Sequence, residues 1–204
     1  YTIHHYTGCR TKELLNLKWR HITINPNDNA FDRKTNRIVH IPADNSKTGR
    51  SRDIIAPIGQ QIERLIRWYR EMGLEVDQKS DRYVFPRLTD TTKNENIPTS
   101  DVAWTKRLRN VLASAERDGV IDLNGRNISN YCARHHHITE AIQRGVDIYD
   151  IALNCGTSLN YIEKTYSHIT TLMRSRDITK GLGRQATYDP RKDEEYLKAT
   201  RMGE

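Results

Sequence analysis

The sequence predicts a mainly helical α+β domain that contains a small three-stranded antiparallel sheet. Apolar residues recur at helical spacing in several long segments. Three short segments with the character of strands lie close together between residues 22 and 56. The chain has 204 residues, 36% of them hydrophobic and 29% charged, which is typical of one soluble globular domain with room for a tail.

The first quarter of the chain is predicted to hold one helix and the whole sheet. Residues 8–19 predict a turn that enters a helix with one apolar side. Strands are predicted at residues 22–25, 37–42 and 52–56. The turn-rich residues 25–29 separate the first two strands, and a polar turn at residues 47–50 separates the last two.

The remainder of the chain is predicted to be helical apart from one loop. Ile58, Ile62 and Ile66 recur at helical spacing, which predicts an amphipathic helix over residues 57–72. Apart from Tyr83-Val84-Phe85, residues 79–98 are polar and contain prolines, which predicts a surface loop. Further helices are predicted at residues 102–119, 135–144, 148–154 and 158–168.

The charge balance favours a nucleic-acid partner. The net charge is +7 and the pI about 9.4, and excess basic charge is the electrostatic footprint of a protein that contacts phosphates. Composition alone also fits a basic helical domain unrelated to DNA.

No apolar run approaches the roughly 18 residues of a membrane span. Cys9, Cys132 and Cys155 lack metal-site spacing, which predicts reduced intracellular cysteines.

Three separated segments together carry the groups needed for chemistry on a phosphate. They read Thr7-Gly8-Cys9-Arg10-Thr11-Lys12-Glu13, Tyr131-Cys132-Ala133-Arg134-His135, and Gly156-Thr157-Ser158 running to Tyr166-Ser167-His168. Guanidinium is planar, permanently charged and bidentate, which suits phosphate oxygens, and a tyrosine hydroxyl can attack phosphorus. In this order and spacing the segments resemble the catalytic domain of the tyrosine recombinases, the phage-type integrases, over residues 1–169. That domain is mainly helical with a small three-stranded sheet.

The resemblance implies a catalytic set of two arginines, a lysine and a tyrosine. Arg10 and Arg134 are expected to clamp the phosphate, and Glu13, one helical turn after Arg10, to hold its guanidinium in place. Lys47, on the hairpin turn, is expected to protonate the departing 5′ oxygen. Arg50 and Arg52 lie near Lys47, but neither releases a proton easily.

Tyr166 is the nucleophile that the resemblance implies. It follows Thr157 by nine residues, which is the family interval from this position to the tyrosine. Ile162 lies one helical turn earlier, so Tyr166 is expected to point inward on a packed face. Tyr161, on the same helix, is expected to point elsewhere.

Two positions depart from the commonest family pattern. Tyr131 and Thr157 stand where many members have histidine, so the base that takes the tyrosine proton is not identified. Thr157 is expected either to bind a phosphate oxygen or to cap the following helix. His135 is expected to pack or hydrogen-bond behind Arg134. Because neighbouring histidines on a helix diverge by about 100°, residues 135–137 predict no metal site.

The implied activity is site-specific DNA recombination by strand cleavage and rejoining through a 3′-phosphotyrosine intermediate. The implied enzyme needs neither metal nor ATP, has no cofactor, and acts on double-stranded DNA as a homo-oligomer, a tetramer at synapsis. It is expected in the cytoplasm, associated with DNA. The alternatives are a type IB topoisomerase-like enzyme that nicks and reseals one duplex, and a non-catalytic DNA-binding relic of the fold.

The expected organisation is a catalytic domain at residues 1–169 and a tail at residues 170–204. The first residue is Tyr1, close to the first motif, which suggests a fragment of a longer protein whose N-terminal edge is truncated. The tail is charged and poor in apolar residues, and residues 191–202 are a candidate short helix. The tail is expected to dock on a neighbouring protomer; folding back on its own domain is the alternative.

Overall fold

A computed structural model describes residues 1–88 and 93–173, and it confirms a mainly helical fold with a three-stranded antiparallel sheet. The helices in these ranges are α1 (Thr2–Thr7), α2 (Thr11–Leu15), α3 (Ala30–Thr35), α4 (Gly59–Glu71), α5 (Asp101–Arg117), α6 (Tyr131–Gln143), α7 (Ile148–Cys155) and α8 (Leu159–Met173). The strands are β1 (Ile22–Thr23), β2 (Arg37–Ile41), β3 (Arg52–Ala56), β4 (Pro86–Leu88) and β5 (Lys93–Pro98).

The three-stranded sheet follows the alternation of the sequence. Its order is β1-β2-β3 with antiparallel pairing, and Val39 lies opposite Ile22 on one side and Ile54 on the other. Val39, Ile41 and Ile54 are fully buried, whereas Ile55 is exposed. Because successive side chains point to opposite faces, one face of the sheet is in the core and the other is open.

The main core joins the sheet to α2 and α4. Leu14 on α2 and Ile62 on α4 are buried in the same cluster as Ile54 on β3. A further set of residues is buried on α6, α7 and α8, represented by Ile138 and Ile162. These buried faces orient the helices that carry the candidate functional side chains.

Capping residues determine where several helices begin and end. The Ser100 hydroxyl accepts a hydrogen bond from the Ala103 N–H at the start of α5. The Asp147 carboxylate accepts a hydrogen bond from the Tyr149 N–H at the start of α7. Gly156 ends α7 with a φ of 64°, a left-handed conformation that glycine adopts without strain.

The prediction of a surface loop over residues 79–98 is wrong for residues 86–88 and 93–98, which form strands. Strands β4 and β5 pair as an antiparallel hairpin, and Val84, just before β4, is fully buried. The Val84 N–H donates to the Leu17 carbonyl at 2.8 Å, and its carbonyl accepts from the Tyr69 hydroxyl at 2.7 Å. Backbone pairing stabilises this polar segment, and composition does not report such pairing.

Other boundaries also differ from the predictions. Helix α2 ends at Leu15 and does not continue to residue 19, and β1 is shorter than residues 22–25. Helix α3 was not predicted. It begins after Asn29 because that side chain accepts hydrogen bonds from the N–H groups of Phe31 and Asp32.

Contacts divide the chain into residues 1–167 and residues 168–204. The candidate terminal helix at residues 191–202 and the docking of the tail lie outside the described residues. No helix in the described part of the chain is long and apolar enough to cross a membrane.

Candidate active site

Two guanidinium groups from distant parts of the chain meet at the turn that ends α7. Arg134, on α6, donates from Nη1 to the carbonyl of Cys155 at 2.6 Å and to that of Gly8 at 2.7 Å. Arg10, which precedes α2, donates from Nη2 to the carbonyl of Gly156 at 2.8 Å. The carbonyls of two consecutive residues therefore bring the first and second sequence motifs together beside the third.

Arg134 is the more deeply buried of the two arginines. The residue is 1% exposed, and within residues 1–88 and 93–173 its Nε atom has no hydrogen-bond partner. A buried N–H without an acceptor is costly, because its desolvation is not compensated. The guanidinium is held by carbonyl dipoles and keeps an N–H available for another acceptor.

Glu13 binds two arginines at once. Its carboxylate accepts from Arg10 Nη1 at 2.9 Å and from the Arg10 backbone N–H at 2.9 Å. It also accepts from Arg52 Nη1 and Nη2 at 3.2 and 2.7 Å. Burial alone would raise the pKa of the Glu13 carboxyl, but the hydrogen bonds from Arg52 and Arg10 outweigh that effect and lower it. Glu13 is therefore a charged anchor for both guanidinium groups.

Arg52 is the functional-region residue that the sequence analysis missed. Arg52 lies against α7 and donates from Nε to the Asn154 carbonyl at 3.3 Å. A Cβ atom on Gly156 would lie 2.5 Å from its Cζ. A signal was present, because Arg52 shares its strand parity with the buried residues Ile54 and Ala56.

Tyr166 contacts a histidine on the neighbouring helix. It is 4% exposed and lies one turn after the buried Ile162, as the helical spacing predicts. Its hydroxyl lies 2.5 Å from Nδ1 of His135. Burial, and next the neighbouring hydroxyls of Tyr161 and Tyr131, raise the pKa of Tyr166 well above the usual range. His135 thus faces α8, in a direction different from the one expected behind Arg134.

Tyr131 and Tyr161 border this contact. Their hydroxyls are 3.3 Å apart, and the Tyr131 ring stands nearly perpendicular to the His135 ring with centroids 4.6 Å apart. Tyr161 has a different partner from Tyr166, as expected, but it stays beside the same contact because α6 and α8 bring its hydroxyl to that of Tyr131. Tyr131 is 41% exposed, which leaves it open to solvent.

Lys47 and Thr157 are predicted site residues whose side chains make no hydrogen bond to the arginines within the described residues. Lys47 is exposed on the turn before β3, where the Gly49 N–H donates to the Ser46 carbonyl. Thr157 does not cap α8. The Ser158 hydroxyl caps it by accepting a hydrogen bond from the Tyr161 N–H. Within the described residues the structure brings Arg10 and Arg134 to the end of α7, brings Tyr166 to His135 on α6, and leaves Lys47 at the hairpin tip.

The other histidines of the run at residues 135–137 face α1. His136 Nδ1 lies 3.3 Å from His5 Nδ1, and His5 Nε2 lies 3.0 Å from a Glu140 carboxylate oxygen. The ring of His137 packs directly against Gly8. A Cβ atom added to Gly8 would lie only 2.4 Å from that ring. Gly8 has a φ of 57°, so glycine is needed there for conformation and for space.

Comparison with known proteins defines the class of this chain. A statistical model of the phage integrase family matches residues 2–172. The chain therefore belongs to the phage integrase family, and the resemblance found in its motifs is confirmed. No curated protein matches the sequence significantly.

Solved structures share the fold at low sequence identity. The XerH site-specific recombinase bound to difH substrate, in a pre-cleavage complex, has a TM-score of 0.54 and 18% identity, covering 89% of this chain and 44% of XerH. A XerH post-cleavage complex gives a TM-score of 0.57 and 19% identity, covering 88% and 43%. A Tn1549 transposon integrase in complex with transposon right end DNA gives 0.54 and 14%, covering 89% and 57%. The chain thus spans about half the length of these relatives.

Proposed function

We propose that this chain is the catalytic part of a site-specific tyrosine recombinase, which cuts and rejoins double-stranded DNA through a 3′-phosphotyrosine intermediate. The observation that carries the proposal is the convergence of Arg10 and Arg134 on the carbonyls of Gly156 and Cys155, with Tyr166 on the helix that follows. The structural relatives, described as complexes with DNA, support DNA as the substrate.

The two arginines have distinct tasks in the proposed reaction. Arg134 keeps a buried N–H that has no acceptor among the described residues, and a non-bridging phosphate oxygen would satisfy it. Arg10 is held from behind by Glu13 while its side chain stays 23% exposed, so that it can reach a bound phosphodiester. Both charges act where negative charge develops in the transition state, and preorganised donors of this kind lower the barrier most.

Tyr166 attacks the phosphorus, and the 5′ oxygen leaves. The bond from the tyrosine oxygen to phosphorus forms as the bond from phosphorus to the 5′ oxygen breaks, which needs no external energy because one ester replaces another. Lys47 is the proposed donor of the proton to the leaving oxygen, brought in from the exposed hairpin turn when DNA binds. Thr157, whose hydroxyl makes no hydrogen bond to a described residue, is the proposed donor to another phosphate oxygen.

The assembly proposed is a homo-oligomer on DNA, with a tetramer at synapsis. Residues 1–169 form the proposed catalytic domain, and residues 170–204 form a tail that docks on a neighbouring protomer. A reaction that exchanges strands between two duplexes needs four active sites, one for each strand that is cut, which is the reason for the tetramer.

A suicide DNA substrate, whose cut strand is lost after cleavage, tests the proposal. We expect the full chain to form a covalent adduct, Tyr166→Phe to bind DNA without an adduct, and the matched control Tyr161→Phe to keep the adduct. An adduct that survives Tyr166→Phe would overturn the assignment of the nucleophile.

The same experiment separates the other activities. Strand exchange between duplexes is expected of a recombinase, whereas nicking and resealing of one duplex without exchange would indicate a topoisomerase-like enzyme. DNA binding without any adduct would indicate a relic of the fold. Absence of DNA binding would leave a basic helical domain unrelated to DNA.

A further inference from the structure

We propose that His135 is the general base that takes the phenolic proton of Tyr166 as this side chain attacks phosphorus. The inference rests on the proposed function and identifies the proton acceptor at the same site. Within the described residues, the only hydrogen-bond partner of the Tyr166 hydroxyl is Nδ1 of His135, at 2.5 Å. A general base must lie within hydrogen-bond reach, no more than about 3.2 Å from the atom that loses the proton, and His135 meets that requirement before any substrate is bound.

The position of His135 follows from the packing of α6. Consecutive residues on a helix diverge by about 100°, so Arg134 and His135 face different neighbours. Arg134 donates to the carbonyl of Cys155 at the end of α7, while His135 reaches Tyr166 on α8. The ring of Tyr131, one turn earlier, stands edge-on to the imidazole and limits its rotation. One helix therefore presents a phosphate clamp and a proton acceptor to the same reacting centre.

The electrostatic surroundings keep the imidazole in its basic form. Burial, followed by the charge of Arg134, lowers the pKa of His135 below its ordinary value of 6.5. At neutral pH the ring is then uncharged, and Nδ1 accepts the hydroxyl hydrogen when Nε2 carries the ring proton.

The nucleophile itself needs a base. Burial, with a smaller contribution from Tyr161 and Tyr131, raises the pKa of Tyr166, so the phenol holds its proton until an acceptor removes it. An imidazole activates serine in the same way although the serine hydroxyl is less acidic than a phenol. The neighbouring hydroxyls of Tyr131 and Tyr161 are weaker bases than imidazole and pair with each other.

The proton and electron balance of the step is complete. An oxygen lone pair of Tyr166 forms the bond to phosphorus, and the phenolic proton moves to Nδ1 of His135. The bond from phosphorus to the 5′ oxygen breaks, and that oxygen takes its electron pair and a proton from Lys47. In rejoining, the imidazolium of His135 returns the proton to the departing Tyr166 oxygen, as microscopic reversibility requires.

The test is His135→Gln in the full chain, measured as single-turnover cleavage of the suicide substrate. Glutamine can still accept a hydrogen bond from Tyr166, but it cannot take the proton. We expect unchanged DNA affinity and a cleavage rate lower by roughly 100- to 10,000-fold. The matched control is His136→Gln, on the same helix but 63% exposed and facing His5, which should cleave at the rate of the unmodified protein.

A ring-fluorinated tyrosine at position 166 distinguishes a base from a positioning residue. Its phenol is more acidic, so it should restore much of the rate lost in His135→Gln, whereas it would not repair a misplaced nucleophile. The unmodified protein should also lose rate as the pH falls through the pKa of His135, which lies below the ordinary 6.5, because the imidazole beside Arg134, Tyr131, Tyr161 and Tyr166 then becomes protonated. His135→Gln should lack this acid limb.

The outcomes separate this inference from the proposed function. Cleavage by His135→Gln within a few-fold of the unmodified protein would overturn the role of His135, as would a large loss that fluorination at Tyr166 does not recover. In both cases an adduct in the unmodified protein that disappears in Tyr166→Phe leaves the recombinase assignment intact. No adduct in the unmodified protein would overturn both.

Discussion

Replacing Glu13 with glutamine removes the negative charge that holds two arginines behind the candidate site. The carboxylate is 1% exposed and accepts hydrogen bonds from Arg10 Nη1, from the Arg10 backbone N–H and from both terminal nitrogens of Arg52. Glutamine retains one oxygen acceptor of similar shape. Its NH₂ group must then face N–H donors, so the two hydrogen bonds made by one carboxylate oxygen are lost.

The expected loss of stability is about 3 kcal/mol. Removing one partner of a buried ion pair costs roughly 3–5 kcal/mol because the remaining charge is left uncompensated. The lower end applies to Glu13→Gln because the side chains of Arg10 and Arg52 are 23% and 12% exposed, and water screens part of their charge. For a domain of this size, 1 kcal/mol shifts Tm by roughly 2–4 °C, so Tm should fall by roughly 6–12 °C.

Denaturant and thermal unfolding of Glu13→Gln measure this loss directly. The matched control is Glu63→Gln, because Glu63 pairs with Arg37 at 3.7 Å but its side chain is 65% exposed. A surface pair of that kind contributes about 0–1 kcal/mol. If Glu13→Gln destabilised the protein no more than Glu63→Gln does, the reasoning about the Glu13 network would be refuted.

Acid unfolding gives an independent check on Glu13. Its pKa in the folded protein is below the ordinary value of 4.5, so its charge stabilises the fold fully above pH 4.5. That contribution is lost as the pH falls from 4.5 through the lower folded pKa, because the unfolded carboxyl binds its proton first. Glu13→Gln should show a shallower loss of stability over this acid range, measured by denaturant unfolding at a series of pH values.

Three further predictions follow from the turns and the tail. Lys47→Ala should cleave a normal substrate slowly but recover on a 5′-thio-bridged substrate, since a thiolate leaves without a proton; equal impairment on both would exclude Lys47 as the general acid. Gly156→Ala should lower stability by roughly 1–3 kcal/mol more than Gly49→Ala, because both have positive φ but only a Cβ at 156 meets Arg52, and equal unfolding curves would contradict this. Truncation after Ile169 should reduce assembly on DNA at a given protein concentration, and unchanged assembly and recombination would disprove docking in trans.

The local sequence predicted the candidate site residues and most of the regular elements. Gly8, Arg10, Arg134 and Tyr166 stand in short motifs, and the residue types and spacing of these motifs predict a phosphate clamp and a nucleophile. The alternation of apolar and polar residues predicted the three strands. It also indicated that Arg52 points inward, because Arg52 lies two residues from the buried Ile54 on the same strand. Each of these features depends on residues close together in the chain.

Tertiary structure alone decided which groups meet. The contact of His135 with Tyr166 depends on how α6 packs against α8, and the meeting of Arg10 with Arg134 depends on the carbonyls of Cys155 and Gly156. Every residue has a carbonyl, so no side-chain pattern marks the two that matter. The β4–β5 hairpin was missed for the same reason, because backbone hydrogen bonds between segments leave little trace in the sequence of either segment.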